Sequence, residues 1–342
     1  MAVTIRDIAK QADVSVATVS RAINSATRNQ VREETRRKIF EIIKKCNYSP
    51  DQTARSLSTR RTKVLGLCMP SRASAFSSDY FTGIIIGAIE SARKLGYELK
   101  IVLLSETTKG LDVSEVSKPS AIDGALLVGT RIHDELIAVF ENSDIPWILV
   151  NNYPENKEKT NFVDCDNEKG AYNVVNYLLG KGHRKIAFIK GPEDSRNAND
   201  RFAGYTKALK KNGIKPDKLL IKTGNFTEKE GYLAVHDLLS DHNDITAIFC
   251  ADDEMAVGAL QAVKDKGLSC PEDISIIGFD DIRLSRYVDP PLTTVRQPIY
   301  EIGKIAAQML IYVVEGKLTA PVSKILQTEL VERNSCAPAA QK

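Results

Sequence analysis

Two adjacent carboxylate pairs, Asp252-Asp253 and Asp280-Asp281, each stand directly behind a short apolar run, Ala247 to Cys250 and Ile274 to Phe279. Asn197 and Arg201 follow a third such run, Ile186 to Ile189, and Phe226 follows the stretch Leu219 to Thr223. Carboxylates accept from hydroxyl groups, an arginine fork donates to them, and an aromatic face covers the C–H surface of a ring. Together these residue types suit a sugar. Each also has a structural reading: Arg201 as a bridge to an acidic neighbour, Phe226 as a loop anchor, and either acid of a pair as the cap of a following helix. Asp253 is the better cap and Asp280 the better ligand group. A glycosidase-like acid pair is the enzymatic alternative. The acids are adjacent in sequence, however, and no nucleophile-base constellation or glycine-rich phosphate loop accompanies them. The histidines at 133, 183, 236 and 242 have no metal spacing. The six cysteines, at 46, 68, 165, 250, 270 and 336, fit no zinc or redox motif. We therefore expect neither an enzyme nor a metal or cofactor.

The elements that must position these groups are legible as periodicity. From Val64 onward, continuous apolar runs alternate with helical stretches. The runs are Val64 to Met69, Glu98 to Leu104, Ala125 to Val128, Trp147 to Val150, Ile186 to Ile189, Leu219 to Ile221, Ala247 to Cys250 and Ile274 to Phe279. Such runs read as strands buried on both faces of a parallel sheet, and Gly87 to Leu95 and Gly170 to Leu179 read as intervening helices. There are too many for one ordinary sheet, so two similar lobes are expected, with any ligand beyond the carboxyl ends of the strands.

The first 63 residues differ. They hold 14 Lys+Arg against 6 Asp+Glu, whereas the remainder holds 33 against 38. A basic head on a mildly acidic body is the footprint of a polyanion-binding end. Thr4 and Asp7 form a capping box, with Ile5, Ile8, Ala9 and Ala12 on one face. Ser15 is a good N-cap for a second helix, Val16 to Ile23. A third helix is expected over Arg32 to Cys46, its apolar positions at Val31, Thr35, Ile39, Ile42 and Cys46. This is a helix-turn-helix layout. Tyr48-Ser49-Pro50 ends the third helix, and the segment 51–58 that follows is too short to be a stable helix on its own. Over the 342 residues, 43% hydrophobic and 27% charged, no apolar run approaches the roughly 18 residues of a membrane span. The N-terminus is charged at once, without a signal-peptide core, and the dispersed cysteines suit reduced thiols, so a cytoplasmic protein is expected.

The run TIRDIAKQADVSVATVSRAIN, followed by VREETRRKIFEIIKKCNYSPDQTARSL, resembles the DNA-binding head of the lactose/galactose repressor family of bacterial transcriptional regulators. The resemblance continues through KGHRKIAFIKG, DRFAGYTKAL, GNFTEKEGY, AIFCADDEMAVGALQAV, CPEDISIIGFDD and PPLTTVRQP to about Glu332. It implies an α/β chain with an N-terminal all-α helix-turn-helix head and a two-lobed, periplasmic-binding-protein-like core of parallel sheets flanked by helices. It also implies that the second helix enters the major groove of a palindromic operator. Val16 and Ala17 would then meet thymine methyls and Arg21 a guanine edge. Ser15, Thr18, Ser20 and Asn24 suit phosphate contacts. Ala54 and Leu57 match positions of a hinge helix that wedges the central base step of the minor groove, and Thr4, Tyr48 and Arg55 complete the expected DNA-binding set.

In the core the resemblance implies ligand contacts at Asn197, Arg201, Phe226, Asp252 and Asp280, with Tyr80 from the first lobe. Two departures stand out. The family's Asp-x-x-x-Asn-Pro-Phe-Phe stretch is replaced by Pro70 to Phe81, and Asp252 stands where Asn is common. The expected boundaries are 1–47 for the head, 48–62 for the hinge, and 63–332 for the core. Lobe one would hold about 63–161 and 293–320, lobe two 162–292 and 321–332, and residues 333–342 a flexible tail without leucine heptads, which predicts a dimer. The function implied is a homodimeric repressor of carbohydrate-utilisation genes with a small sugar or sugar derivative as effector. The alternatives are a non-regulatory sugar-binding protein or a regulator acting mainly as an activator.

Overall fold

The computed structural model describes residues 3–23, 27–48, 61–70, 78–104, 106–107, 110–111, 122–154 and 157–339. It divides into two compact units, Met1–Thr62 and Lys63–Lys342. In the first, α1 (Ile5–Ala12), α2 (Val16–Ile23) and α3 (Glu33–Lys45) enclose a small core of Ile8, Ala9, Ala12, Val19, Ala22, Val31 and Ile39. The Asp7 carboxylate accepts from the Thr4 backbone N–H at 2.9 Å and from its hydroxyl at 2.7 Å, which fixes the start of α1. Ser15 Oγ accepts the Thr18 N–H at 3.1 Å, as its capping role requires. Asp13 takes a left-handed conformation (φ 58°) in the tight turn between α1 and α2. Glu33 and Glu34 open α3 while Lys44 and Lys45 close it, so both ends complement the helix dipole. Residues 49–60 of the expected hinge, with Ala54, Arg55 and Leu57, lie outside the described residues, as does Asn24.

The second unit holds two parallel sheets. Lobe one is built on β1 (Val64–Pro70), β2 (Glu98–Leu104), β3 (Gly124–Val128), β4 (Trp147–Val150), β5 (Phe162–Cys165) and a late strand, Ser323–Leu326. Their spatial order is Ser323–Leu326, β5, β4, β3, β1, β2. Lobe two has β6 (Ile186–Lys190), β7 (Ile221–Thr223), β8 (Ala247–Cys250) and β9 (Ser275–Ile277), in the order β9-β8-β6-β7. β10 (Thr294–Arg296) pairs antiparallel with a last strand, Glu329–Val331. In chain order these two late strands are β11 (Ser323–Leu326) and β12 (Glu329–Val331).

Helices cover both sheets: α4 (Asp79–Lys94), α5 (Glu135–Glu141), α6 (Asn167–Gly180), α7 (Arg196–Lys211), α8 (Glu228–Asp241), α9 (Asp253–Asp265) and α10 (Ile299–Val314). In β1, Leu65, Leu67 and Met69 pack toward α4 and α10, while Cys68 joins a second apolar layer with Val102, Leu127 and Phe140. This alternation is that of a strand buried on both faces. Gly87 and Gly303 let α4 and α10 cross at close range, since a Cβ on either would overlap the partner backbone at Tyr300 or Ile84. No helix among the described residues is long and apolar enough to cross a membrane.

The expected boundaries need three corrections. The chain does not leave lobe one at 162: Phe162 and Val163 pair with Leu149 and Val150 inside the lobe-one sheet. Residues 323–326 return to that same sheet beside β5, not to lobe two. Neither strand was visible as an apolar run, because β5 contains Asp164 and β11 is a largely exposed edge.

Nor is the segment after Glu332 a flexible tail. Arg333 pairs with Asp281, Ser335 and Cys336 are buried, and Ala339 N–H donates to the Lys181 carbonyl at 2.9 Å. Its small and polar residues look loop-like, yet they fill a slot between β9 and the start of β10. The strand expected at Leu219 to Ile221 also moves. Asp217 caps a short 3-10 turn over Lys218–Leu220, leaving Leu219 65% exposed and the strand at Ile221–Thr223.

Candidate functional site

On the head, burial of Val19 and Ala22 turns the opposite side of α2 outward. Ser15, Val16, Ala17, Ser20 and Arg21 are exposed there and Thr18 is half-buried. Val16 is 41% exposed, so its methyl groups are available on this face. A helix presenting small apolar groups, hydroxyls and one guanidinium on a single stripe has the shape and chemistry to lie in a major groove. Thr4 is exposed at the start of α1, and Tyr48 packs half-buried on the head core.

In the core, a cavity of about 220 Å³ opens between the lobes, beyond the carboxyl ends of both sheets. Tyr80, Asn197, Arg201, Phe226, Asp252 and Asp280 all line it, so the structure brings together every ligand-contact residue expected from the sequence. Tyr80 comes from the first turn of α4, Asn197 and Arg201 from the first turns of α7, and Asp252 from the N-cap of α9. Phe226 and Asp280 sit in loops with φ of 56° and 121°, as does another wall residue, Asn151, at 53°. Left-handed backbone at non-glycine residues is costly and gathers where a site must be held in shape. Contacts span the cleft on both sides. Asp79 accepts the Arg283 N–H at 2.8 Å, and the Ile132 N–H donates to the Asp194 carbonyl at 2.8 Å.

Arg201 is 2% exposed. Its Nε donates to Asn167 at 2.9 Å, Nη1 donates to the Ala251 carbonyl, Nη2 lies 3.4 Å from Asp280, and the guanidinium stacks on Phe279. The bridging role considered from sequence is therefore real, and it coexists with a place in the cavity wall. Phe226 likewise both packs on the lobe-two core and lines the cavity.

Within Asp252-Asp253 the cap is not the residue expected, although Asp252 lines the cavity as expected. Asp252 is the cap, accepting the Met255 N–H at 2.9 Å, and it also faces the cavity. Asp253 is fully buried, accepts from Thr294 and from the Ile282 N–H, and does not line the cavity. Asp252 holds the extended N-cap position from which a carboxylate reaches the helix amides, whereas Asp253 is the first helical residue and ties α9 to β10 through Thr294. In the other pair the two roles are separated. Asp281 is enclosed by Arg333, Arg296 and Arg286, while Asp280 lines the cavity.

The acids of the wall are electrostatically crowded. Burial, then the Asp280 charge, raises the Asp252 carboxyl well above its ordinary value. Burial raises Asp280 to about 6 against the opposing pull of Arg201 and Gln297. Burial and the neighbouring Glu228 raise Glu254, at the cavity mouth, to about 7. Asp281 shows the contrast: burial would raise it, but Arg333 and Arg296 bring it below the usual carboxylate range.

Apart from Tyr80, sequence reasoning missed the lobe-one wall. Thr130, Asn151 and Asn152 follow β3 and β4, and the rule that ligands lie beyond strand ends would have found them had it been applied to both lobes. It also missed Gln297, which joins Asp280 to Asn151. No group of residues suited to hold a metal ion occurs among the described residues.

Comparison with known proteins follows the same division. Residues 4–51 match the family described as bacterial regulatory proteins, lacI family, and residues 175–336 match the periplasmic binding protein-like domain. The HTH-type transcriptional repressor PurR of Shigella dysenteriae is 36% identical, over 98% of this chain and 97% of its own length. The lac repressor dimer bound to operator and the anti-inducer ONPF superposes with a TM-score of 0.84 at 25% identity, covering 98% of this chain and 100% of that one. The transcriptional regulator CelR in complex with cellobiose superposes with a TM-score of 0.76 at 29% identity, over 97% and 99%.

Proposed function

Because the chain belongs to the lacI family of bacterial regulatory proteins, we propose that it is a homodimeric repressor of carbohydrate-utilisation genes, its operator affinity set by a small sugar or sugar derivative in the interlobe cleft. The observation that carries this reading is the company kept in the cavity. Carboxylates, amides and an arginine converge there with Phe226, Phe81 and Tyr80, which is the donor, acceptor and C–H-stacking mixture that a pyranose ring offers to satisfy. The CelR–cellobiose complex supports the same chemistry on a related scaffold.

In this mechanism the two heads of a dimer read the half-sites of a palindrome. Val16 and Ala17 read thymine methyls, Arg21 reads guanine, and Thr4, Ser15, Thr18, Ser20, Asn24 and Tyr48 hold the backbone. Ala54, Arg55 and Leu57 engage the minor groove at the centre. Sugar binding shifts the lobes against each other and changes the spacing of the two chains where they enter the core near Thr62. A coupling of about 2 kcal/mol corresponds to roughly a 30-fold change in operator affinity.

Removing residues 1–61 tests the division of labour. The remaining core should keep sugar binding, measured by calorimetry, and lose operator binding, measured by fluorescence anisotropy. A full-length protein that binds a sugar while its operator affinity stays constant would refute the regulatory coupling.

A further inference from the structure

We infer that the cleft is built for an uncharged, hydroxyl-rich ligand and discriminates against its phosphorylated or otherwise anionic counterparts. The inference rests on the sugar-effector reading above and adds the charge class of the effector. It follows from a chain of fixed hydrogen-bond polarities. The Asp280 carboxylate can only accept when ionised, so Gln297 must turn its Nε2 toward it. Gln297 Oε1 then faces the Asn151 side chain, which must present Nδ2 (3.4 Å), and the Tyr80 oxygen takes the same Nδ2 at 2.7 Å. Asn151 Oδ1 is thereby left over, buried in the wall and without a hydrogen-bond partner among the described residues; Asn197 Oδ1, on the opposite lobe, is in the same state. Two vacant amide oxygens and the carboxylates of Asp252, Asp280 and Glu254 all call for donors from whatever enters.

The cations of the wall do not reverse this. Arg201 is held against Asp280, and Arg131 lies 3.5 Å from Asp194. Arg196 lies over the Tyr153 ring and donates to the Tyr153 carbonyl at 3.3 Å. An anion entering the cavity would meet like charge on the acids and oxygen against oxygen at the two amides, whereas hydroxyls supply the missing donors. Burial first, and the neighbouring acids Asp280 and Glu228 second, raise the carboxyls of Asp252 and Glu254.

The test is calorimetric titration of the full-length protein with free aldohexoses and cellobiose, and with the 1- and 6-phosphate esters of the same sugars. We expect at least one free sugar to bind, its phosphate ester to bind at least about 30-fold more weakly (about 2 kcal/mol), and Glu254→Gln to narrow that gap. An ester that binds as tightly as the free sugar, or tighter, overturns the inference while leaving the sugar reading intact. Loss of such ester binding in Arg196→Gln would identify the cation responsible. Absence of binding by every free sugar and every ester overturns the sugar reading itself, and the inference with it.

Discussion

Replacing Ser335 by alanine should unsettle the effector core, although this residue lies in a stretch that looks like a loose end. Ser335 is fully buried. Its Oγ donates to the Ile276 carbonyl at 2.6 Å and accepts the Thr293 N–H at 2.8 Å, and its own carbonyl accepts the Ile276 N–H at 2.8 Å. It therefore ties β9, which leads to Asp280, to the segment entering β10. Alanine keeps the backbone bond, and the Ile276 carbonyl retains the Cys336 thiol at 3.3 Å. The Thr293 N–H is left buried and unpaired. An orphaned buried donor costs about 1–3 kcal/mol and the lost hydrogen bond about 1 kcal/mol more.

At about 2–4 °C per kcal/mol for a unit of this size, the roughly 2–4 kcal/mol lost in Ser335→Ala should lower the melting temperature by roughly 4–16 °C. It should also weaken effector binding, because Asp280 is three residues beyond β9. Thermal unfolding followed by circular dichroism reads the first effect and calorimetry the second. A chain truncated after Glu332 should fail to fold lobe two at all. A Ser335→Ala protein melting within about 1 °C of the parent would show that the C-terminal strap carries no stability and that its burial has been misread.

Arg21→Ala should cost about 1–3 kcal/mol of operator binding and flatten the preference at one base pair, read by titrating a set of singly substituted operators; uniform weakening across the set would move Arg21 to the phosphates. Effector affinity should fall on acidification from pH 8 to pH 5. Asp280 (about 6) and Glu254 (about 7) then take up protons and lose acceptor capacity, and binding at pH 6 should release protons into the buffer; affinity that rises on acidification would contradict the donor-to-carboxylate account. Glu315 accepts from Lys317 and from Lys63, which hold its carboxyl at about 2. A depressed carboxyl stabilises the fold above its ordinary value near 4.5 and loses that contribution as pH falls toward 2. Glu315→Gln should therefore show a smaller drop in melting temperature between pH 5 and pH 3 than the parent, and an equal drop would refute the assignment.

The parts of the molecule legible from sequence share one property: a local pattern that decides them. The capping box at Thr4 and Asp7 and the N-cap at Ser15 are contacts between residues three apart, and both are in place. Most strands found in advance are continuous apolar runs because both their faces are covered; β2, expected to be the same, is instead an edge strand with Ile101 and Leu103 exposed. What was not legible depends on contacts distant in sequence. β5 carries an acid and β11 is an exposed edge, so neither has a hydrophobic signature. The roles of Asp252 and Asp253 depend on Met255 on one side and on Thr294, some forty residues away, on the other. The relay from Asp280 through Gln297 to Asn151 spans both lobes and leaves no trace in spacing. The hydrophobic pattern finds the ends of the strands, and with them Asn197, Arg201, Phe226, Asp252 and Asp280, while Tyr80 comes from the family resemblance; neither shows which oxygens are already in use.

The most direct test of the regulator reading is selection of DNA fragments from the source genome by the purified full-length protein, with and without a panel of free sugars. The account predicts enrichment of short palindromes beside carbohydrate-utilisation genes, with enrichment that changes when one sugar is present. Weak binding that shares no sequence and vanishes with added salt would contradict it, because phosphate contacts alone behave in that way.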